Sequence, residues 1–188
     1  MNTLIIILLV VVGLAALIFM WGMGVFNRLV KLKALVDEAW SGIDVQLKRR
    51  YDLIPNLVAV AKQYGVHEKE IFDNIAKMRA ASMNATQIEK KSEAEAGLSH
   101  ALRTLFAVVE NYPNLKANEN FLSLQKDLGA IEHEIQLARR YYNGAVRNYN
   151  IVVATFPSSF VASFGGFAKA PYFEITYAAE REVPKVSF

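Results

Sequence analysis

Apolar side chains are distributed along this chain in two ways. From Asn2 to Asn27 they form a run that no charged side chain interrupts. At about 1.5 Å of rise per helical residue, such a run exceeds the roughly 30 Å hydrocarbon core of a bilayer. From Leu32 onward the pattern becomes periodic: Leu32, Val36, Trp40, Ile43, Leu47, Tyr51, Ile54, Val58 and Ala61 follow one another in steps of three and four. That spacing keeps one face of a single helix buried, and its 4-4-3 repeat favours straight or slightly right-handed packing. The pattern therefore predicts a spanning helix that continues out of the membrane into a folded domain.

Polar residues refine this helix. Asp44, Lys48, Asp52 and Asn56 form a row beside the apolar face, with Lys48 and Asp52 spaced to pair as i,i+4 neighbours. Pro55 removes the amide that would bond to the carbonyl of Tyr51 and pushes Ile54 toward extended geometry. A kink or a one-turn break is expected there, with Arg49 or Arg50 donating to the freed carbonyl. Gly65 suits a C′ position. In "VHEKEI", His67 reads as an N-cap with Glu70 at N3 and Val66 stapled to Ile71, which gives His67 a structural role.

The second helix should reach about Met83, and Thr86 with Glu89 forms a capping box for a third. "EKKSEAEAG" offers little to bury, so it reads as exposed and mobile until Leu98, Leu102, Leu105 and Val109 resume the helical spacing. Pro113 closes that helix at Tyr112, and Asn118 is the expected cap of the next.

The last helix has the most regular pattern. Phe121, Leu124, Leu128, Ile131, Ile135, Ala138, Tyr142, Ala145, Tyr149, Val152 and Phe156 alternate steps of three and four, as a coiled-coil seam does. The arginines and asparagines of "ARRYYNGAVRNYN" flank it as interhelical hydrogen-bonding groups. With the second and third helices taken as nearly collinear, the lengths fit an antiparallel up-and-down four-helix bundle. In that arrangement the Tyr112–Pro113 turn lies near the membrane, and Phe156 and all that follows lie at the distal end. The expectation is an all-α protein with a transmembrane anchor (1–27), a helical bundle (28–156) and an irregular aromatic tail (157–188).

The tail, "FPSSFVASFGGFAKAPYFEI", crowds aromatics between helix breakers and cannot be one long helix. It either caps the bundle or presents an aromatic patch to a partner, a second copy or a membrane surface. The candidate interface comprises Phe160, Phe164, Phe167, Tyr172 and Phe173, and "YFEITY" is strand-like enough to pair with another copy.

Charge and composition bound the function. Arg28, Lys31 and Lys33 follow the span and no basic residue precedes it, which places the following domain in the cytoplasm and Met1 outside. The run lacks the basic n-region and the small-x-small cleavage site of a secretory signal, so a permanent anchor is expected. With no cysteine in the chain, a lipoprotein anchor is excluded. A formal charge of +3, from 21 basic and 18 acidic residues, is not the field of a nucleic-acid binder. No G-x-S-x-G, H-E-x-x-H, phosphate-cradling glycine loop or di-iron Glu-x-x-His occurs. "EHE" at Glu132–Glu134 splays its side chains about 100° apart on a helix, and His100 stands alone. Neither catalysis nor a cofactor or metal is expected.

The uncharged span, "NRLVKLKALVDEAWSGIDVQLKRRYDLIPNLVAVA", "HEKEIFDNIAKMRA", "YPNLKANENFLSLQKDL", "ARRYYNGAVRNYN" and "FPSSFVASFGGF" together resemble the LemA family of bacterial membrane proteins. The resemblance covers nearly the whole chain. It implies a single-pass anchor in the bacterial inner membrane followed by an antiparallel four-helix bundle, and it transfers no catalytic residue. Relatives in magnetosome membranes and beside HtpX-type membrane metalloproteases imply two roles. One is a scaffold that self-assembles into a homo-oligomer; the other is an adaptor that docks a separate membrane partner such as that protease.

Overall fold

The computed structural model describes residues 2–174, and every regular element among them is helical. The helices are α1 (Asn2–Gln63), α2 (Lys69–Asn84), α3 (Ile88–Val109), the single-turn α4 (Pro113–Lys116), α5 (Glu119–Ala154) and the short α6 (Ser158–Phe164). The described chain forms two compact units, residues 2–41 with 141–170 and residues 42–140 with 171–174. The second half of the strand-like stretch "YFEITY", residues 175–177, lies outside the described residues.

In the first unit, α1 is long and apolar enough to cross a membrane. It is exposed on all sides through Trp21, and its first covered positions are Gly22, Val25 and Leu29. Beyond these, Val36 and Ala39 of α1 are buried, as are Tyr142, Val146, Tyr149 and Val152 of α5. Trp40 meets Tyr142 edge-on, with centroids 5.5 Å apart. The α5 seam departs from the strict alternation here: Val146 is buried where Ala145 is only half-buried. The helix ends at Ala154, and Phe156, expected to close the seam, is 75% exposed.

The chain then folds back. The Ser158 hydroxyl bonds to the carbonyls of Val152 and Thr155, each at 2.7 Å, and α6 follows. α6 closes in a Schellman motif: Phe167 N–H donates to Ala162, Gly166 N–H donates to Ser163, and Gly166 takes φ 71°. Phe167 then packs edge-on against Phe26 of α1, centroids 5.3 Å apart. The tail therefore begins beside the last turns of the uncharged run and not at a distal end.

In the second unit, α2 and α3 are not collinear but pack side by side as a hairpin. A Cβ on Gly97 of α3 would lie 2.7 Å from the Met78 sulfur of α2, so the missing side chain permits the close approach. α1 ends as expected in a Schellman motif: Val66 N–H reaches Ala61, Gly65 N–H reaches Lys62, and Gly65 has φ 83°. Val66 is buried, but α2 starts at Lys69 with Glu68 as its N-cap, and no side chain caps it. The box expected from Thr86 is likewise absent, since Gln87 precedes α3 without a side-chain cap. α3 ends at Val109, and Pro113 opens α4, where its missing amide costs nothing. Asn118 caps α5 as expected, its Oδ1 accepting from Phe121 N–H at 2.9 Å, while its amide nitrogen donates to the Tyr64 hydroxyl at 2.7 Å.

Candidate functional site: a buried arginine between two carboxylates

Pro55 does not break α1, which stays helical through Gln63. The carbonyl of Tyr51 that it orphans accepts a 2.8 Å bond from Nε of Arg79 in α2. Neither arginine expected to serve it does so: Arg49 bonds to Gln46 within α1, and Arg50 turns into the core.

Arg50 is 1% exposed and is the largest fully buried side chain of the second unit. It falls between Leu47 and Ile54 at the same three-and-four spacing as the apolar residues, so its Cβ is directed into the interior. A buried guanidinium is tolerated only with partners, and three are supplied. Nη1 donates to Glu95 Oε2 at 3.0 Å, Nη2 donates to Ser99 Oγ at 2.8 Å, and Nε lies 2.9 Å from Glu132 Oε1. Tyr51 donates its hydroxyl to the other oxygen of Glu95. Both carboxylate oxygens of Glu95 are thus engaged. At the rim, Lys91 pairs with Asp44 at 2.7 Å, and Ser92 donates to the carbonyl of Glu174.

Glu95 belongs to "EKKSEAEAG", the stretch expected to be exposed. Ser92, Glu95 and Ala96 are instead buried, because Glu95 continues the spacing of Leu98, Leu102 and Leu105 backward along α3. The interior of this stretch is polar, and its partner Arg50 is 45 residues away in sequence.

The cluster lines a cavity of about 500 Å³, together with Arg103, Arg139, Phe106 and Phe173. Burial raises the pKa of Tyr51 far above the ordinary phenol value, and the Glu95 carboxylate beside it adds to the rise, so the hydroxyl stays a donor. Burial also raises the Glu132 carboxyl, with the positive charge of Arg50 opposing that shift. A guanidinium stands against both acids. The arrangement locks α1, α3 and α5 together. Among the described residues, no three His, Asp or Glu side chains converge as a metal site.

Of the five aromatics singled out from sequence, three belong to the first unit and two to the second. Phe160 and Phe164 stand exposed in the first unit, and Phe167 is half-buried against Phe26 there. Tyr172 is partly exposed in the second unit. Phe173 is 2% exposed and lies under the Arg139 guanidinium, 4.9 Å from its ring centroid. Sequence reasoning missed the Arg50–Glu95–Glu132 cluster, although its signal was present: charged residues at core spacing on three helices.

These features define a class: an all-helical protein with one apolar N-terminal helix that can span a membrane, and a helical body locked by buried charge. Residues 39–188 match the LemA family, and the chain belongs to it. It is 26% identical to Magnetosome protein MamQ 2 of Paramagnetospirillum magneticum over 79% of this chain and 64% of that protein. It is 24% identical to Magnetosome protein MamQ of Magnetospirillum gryphiswaldense over the same shares. It is also 27% identical to Protein LemA of Metamycoplasma hominis, over 72% of this chain and 63% of that protein. The chain thus spans less than two thirds of the length of these relatives.

Proposed function

We propose that this protein is a non-catalytic scaffold, anchored by α1 in the bacterial inner membrane, that self-assembles into a homo-oligomer through the outer side of α5. The polypeptide before α1 faces outward and the helical body lies in the cytoplasm, as the basic residues Arg28, Lys31 and Lys33 favour. The body is an antiparallel up-and-down four-helix bundle of α1, α2, α3 and α5. Two sets of contacts in the second unit support that topology. Residue numbers rise together along α1 and α3, from Asp44–Lys91 to Arg50–Glu95. They run oppositely along α1 and α5, from Arg50–Glu132 to Tyr64–Asn118.

The observation that carries the assembly reading is on α5. Leu122 and Leu137 in the second unit, and Tyr141 and Ile151 in the first, are exposed apolar side chains. At about 100° of rotation per residue they fall within one sector of the helix, which also carries the exposed Lys126, His133 and Arg140. Exposed apolar side chains bordered by polar ones fit a mixed surface that a second copy covers. Relatives named as magnetosome proteins support a membrane setting.

The test is the mass of the intact protein in mild detergent, by light scattering with detergent subtracted. The native chain should give a uniform oligomer, and the double variant Leu137→Glu, Tyr141→Glu should give a monomer with unchanged helicity. A monomeric native protein would overturn self-assembly and redirect this surface to a separate membrane partner, as an adaptor would use it.

A further inference from the structure

The first unit carries an apolar surface that the mixed surface of α5 does not include. Phe156, Phe160 and Phe164 are 75%, 60% and 93% exposed, and Phe156 and Phe160 pack edge-on with centroids 5.8 Å apart. These rings project from a segment held in a fixed place. Asn150 bonds both ways to the backbone of Ala170, donating to its carbonyl at 2.9 Å and accepting from its amide at 2.8 Å. Within the loop so closed, Ala162 of α6 is buried and the Schellman turn at Gly166 sets the exit of the chain.

The height of this segment relative to the span can be read from α1. Phe167 lies on Phe26, and a Cβ on Gly165 would come within 3.1 Å of the same Phe26 ring. Phe26 precedes Arg28, the first charged residue of the chain, so α6 stands beside the final turns of the uncharged run. The residues between Arg147 and Lys169 are themselves uncharged. Charge in this unit is one-sided: Arg28, Lys31, Lys33, Arg147 and Lys169 face only Asp37 and Glu38, and Lys33 is already paired with Asp37. Exposed aromatic rings level with the end of a span, bordered by excess basic side chains, match the chemistry of the headgroup boundary of an anionic bilayer.

We propose that the segment from Phe156 to Phe164 is a membrane-interface foot, which inserts its three phenylalanines into the lipid bilayer beside the anchor. This rests on the reading of α1 as a transmembrane span. A single helix can tilt and rotate in a bilayer, whereas a span with a second insertion point beside it holds the attached body in one orientation. The rings that would otherwise be an aqueous liability thus become part of the anchor.

The absence of cysteine from the chain makes the test direct. Single-cysteine variants Phe164→Cys, Leu14→Cys and His67→Cys of the full chain are spin-labelled and reconstituted into phosphatidylcholine–phosphatidylglycerol vesicles. Collision rates are then measured with oxygen, which concentrates in lipid, and with a water-soluble nickel chelate. Phe164 is almost fully exposed, so its replacement does not disturb the fold.

The label at 164 is expected to favour oxygen over nickel several-fold, approaching the label at 14, while the label at 67 favours nickel. If the label at 164 is open to nickel while that at 14 is not, the foot is overturned and the anchor stands. If the label at 164 is shielded from both probes, the rings are covered by protein, and the foot is again overturned. If the label at 14 is open to nickel, the anchor reading has failed and takes this proposal with it.

Discussion

The two units use the same pair of long helices and hold them together by opposite chemistry. In the first, α1 and α5 meet through Trp40 and Tyr142 and bury Leu29, Val36, Val146 and Val152, with no buried ion pair among the described residues. In the second they meet through Arg50 and Glu132, with Glu95 of α3 completing the cluster. Apolar contact is tolerant of register, since one ring or branched side chain fits roughly where another did. A buried guanidinium is not: shifting one helix by a residue would strand a charge in the interior. The second unit also contains the α2–α3 hairpin and two uncapped helix starts, so the fixed register lies where the local signals are weakest. The reading that follows is that Arg50 specifies alignment within the second unit.

The sharpest way to break the contrast is Arg50→Ala, which leaves Glu95 without its buried counter-ion. Loss of one partner of such a pair costs about 3–5 kcal/mol. Chemical denaturation followed by circular dichroism should show that loss, and hydrogen exchange should place it in residues 42–140. Uniform exchange across both units would refute a register role confined to the second.

A smaller effect is expected from Arg79→Ala, which orphans the Tyr51 carbonyl at about 1–3 kcal/mol. Pro55→Ala restores an amide to that carbonyl, so the double variant should lose less than Arg79→Ala alone. Strict additivity would show that the bond does not depend on the proline. In the first unit, Asn150→Ala removes two neutral hydrogen bonds to Ala170, each worth about 1 kcal/mol. Amide exchange should quicken at Phe167 and Ala170, and the global unfolding midpoint should move little.

The smallest effect concerns pH. The folded-state pKa of Glu132 lies above the ordinary value of 4.5, so between those two values the folded state binds more protons than the unfolded one. This residue's contribution therefore makes stability decline as pH rises through that window. Its side chain is 34% exposed, which keeps the effect modest. Glu132→Gln should flatten the decline, and an unchanged slope of denaturation midpoint against pH would remove Glu132 as its source.

Much of the helical framework was legible because local rules suffice for it. The apolar series from Leu32 to Ala61, the left-handed Gly65 and the Asn118 cap each depend on neighbours a few residues away. The candidate site was hidden by reading composition in place of spacing. "EKKSEAEAG" is polar and by composition reads as exposed, yet Glu95 lies in phase with Leu98, Leu102 and Leu105. A charged residue in phase with a core implies a buried opposite charge on another helix. The partner itself was beyond local rules, as was the donor for the Tyr51 carbonyl, which lies 28 residues further along. The packing of α2 against α3 was beyond local rules as well, because the spacing within each helix is the same whether the two are collinear or folded into a hairpin.

The bond from Arg79 to Tyr51 also constrains the order in which the two substitutions could be acquired. A carbonyl has two lone pairs, so an arginine at position 79 can be gained while residue 55 still donates its amide, and each donor finds a place. The reverse order strands an acceptor inside the helix until the arginine arrives. The neutral path therefore runs through the arginine first. Once the proline is fixed behind it, the arginine is no longer free to be lost. Lineages that carry proline at this position should also carry a long donor at the position of Arg79, whereas lineages without the proline should let that position drift.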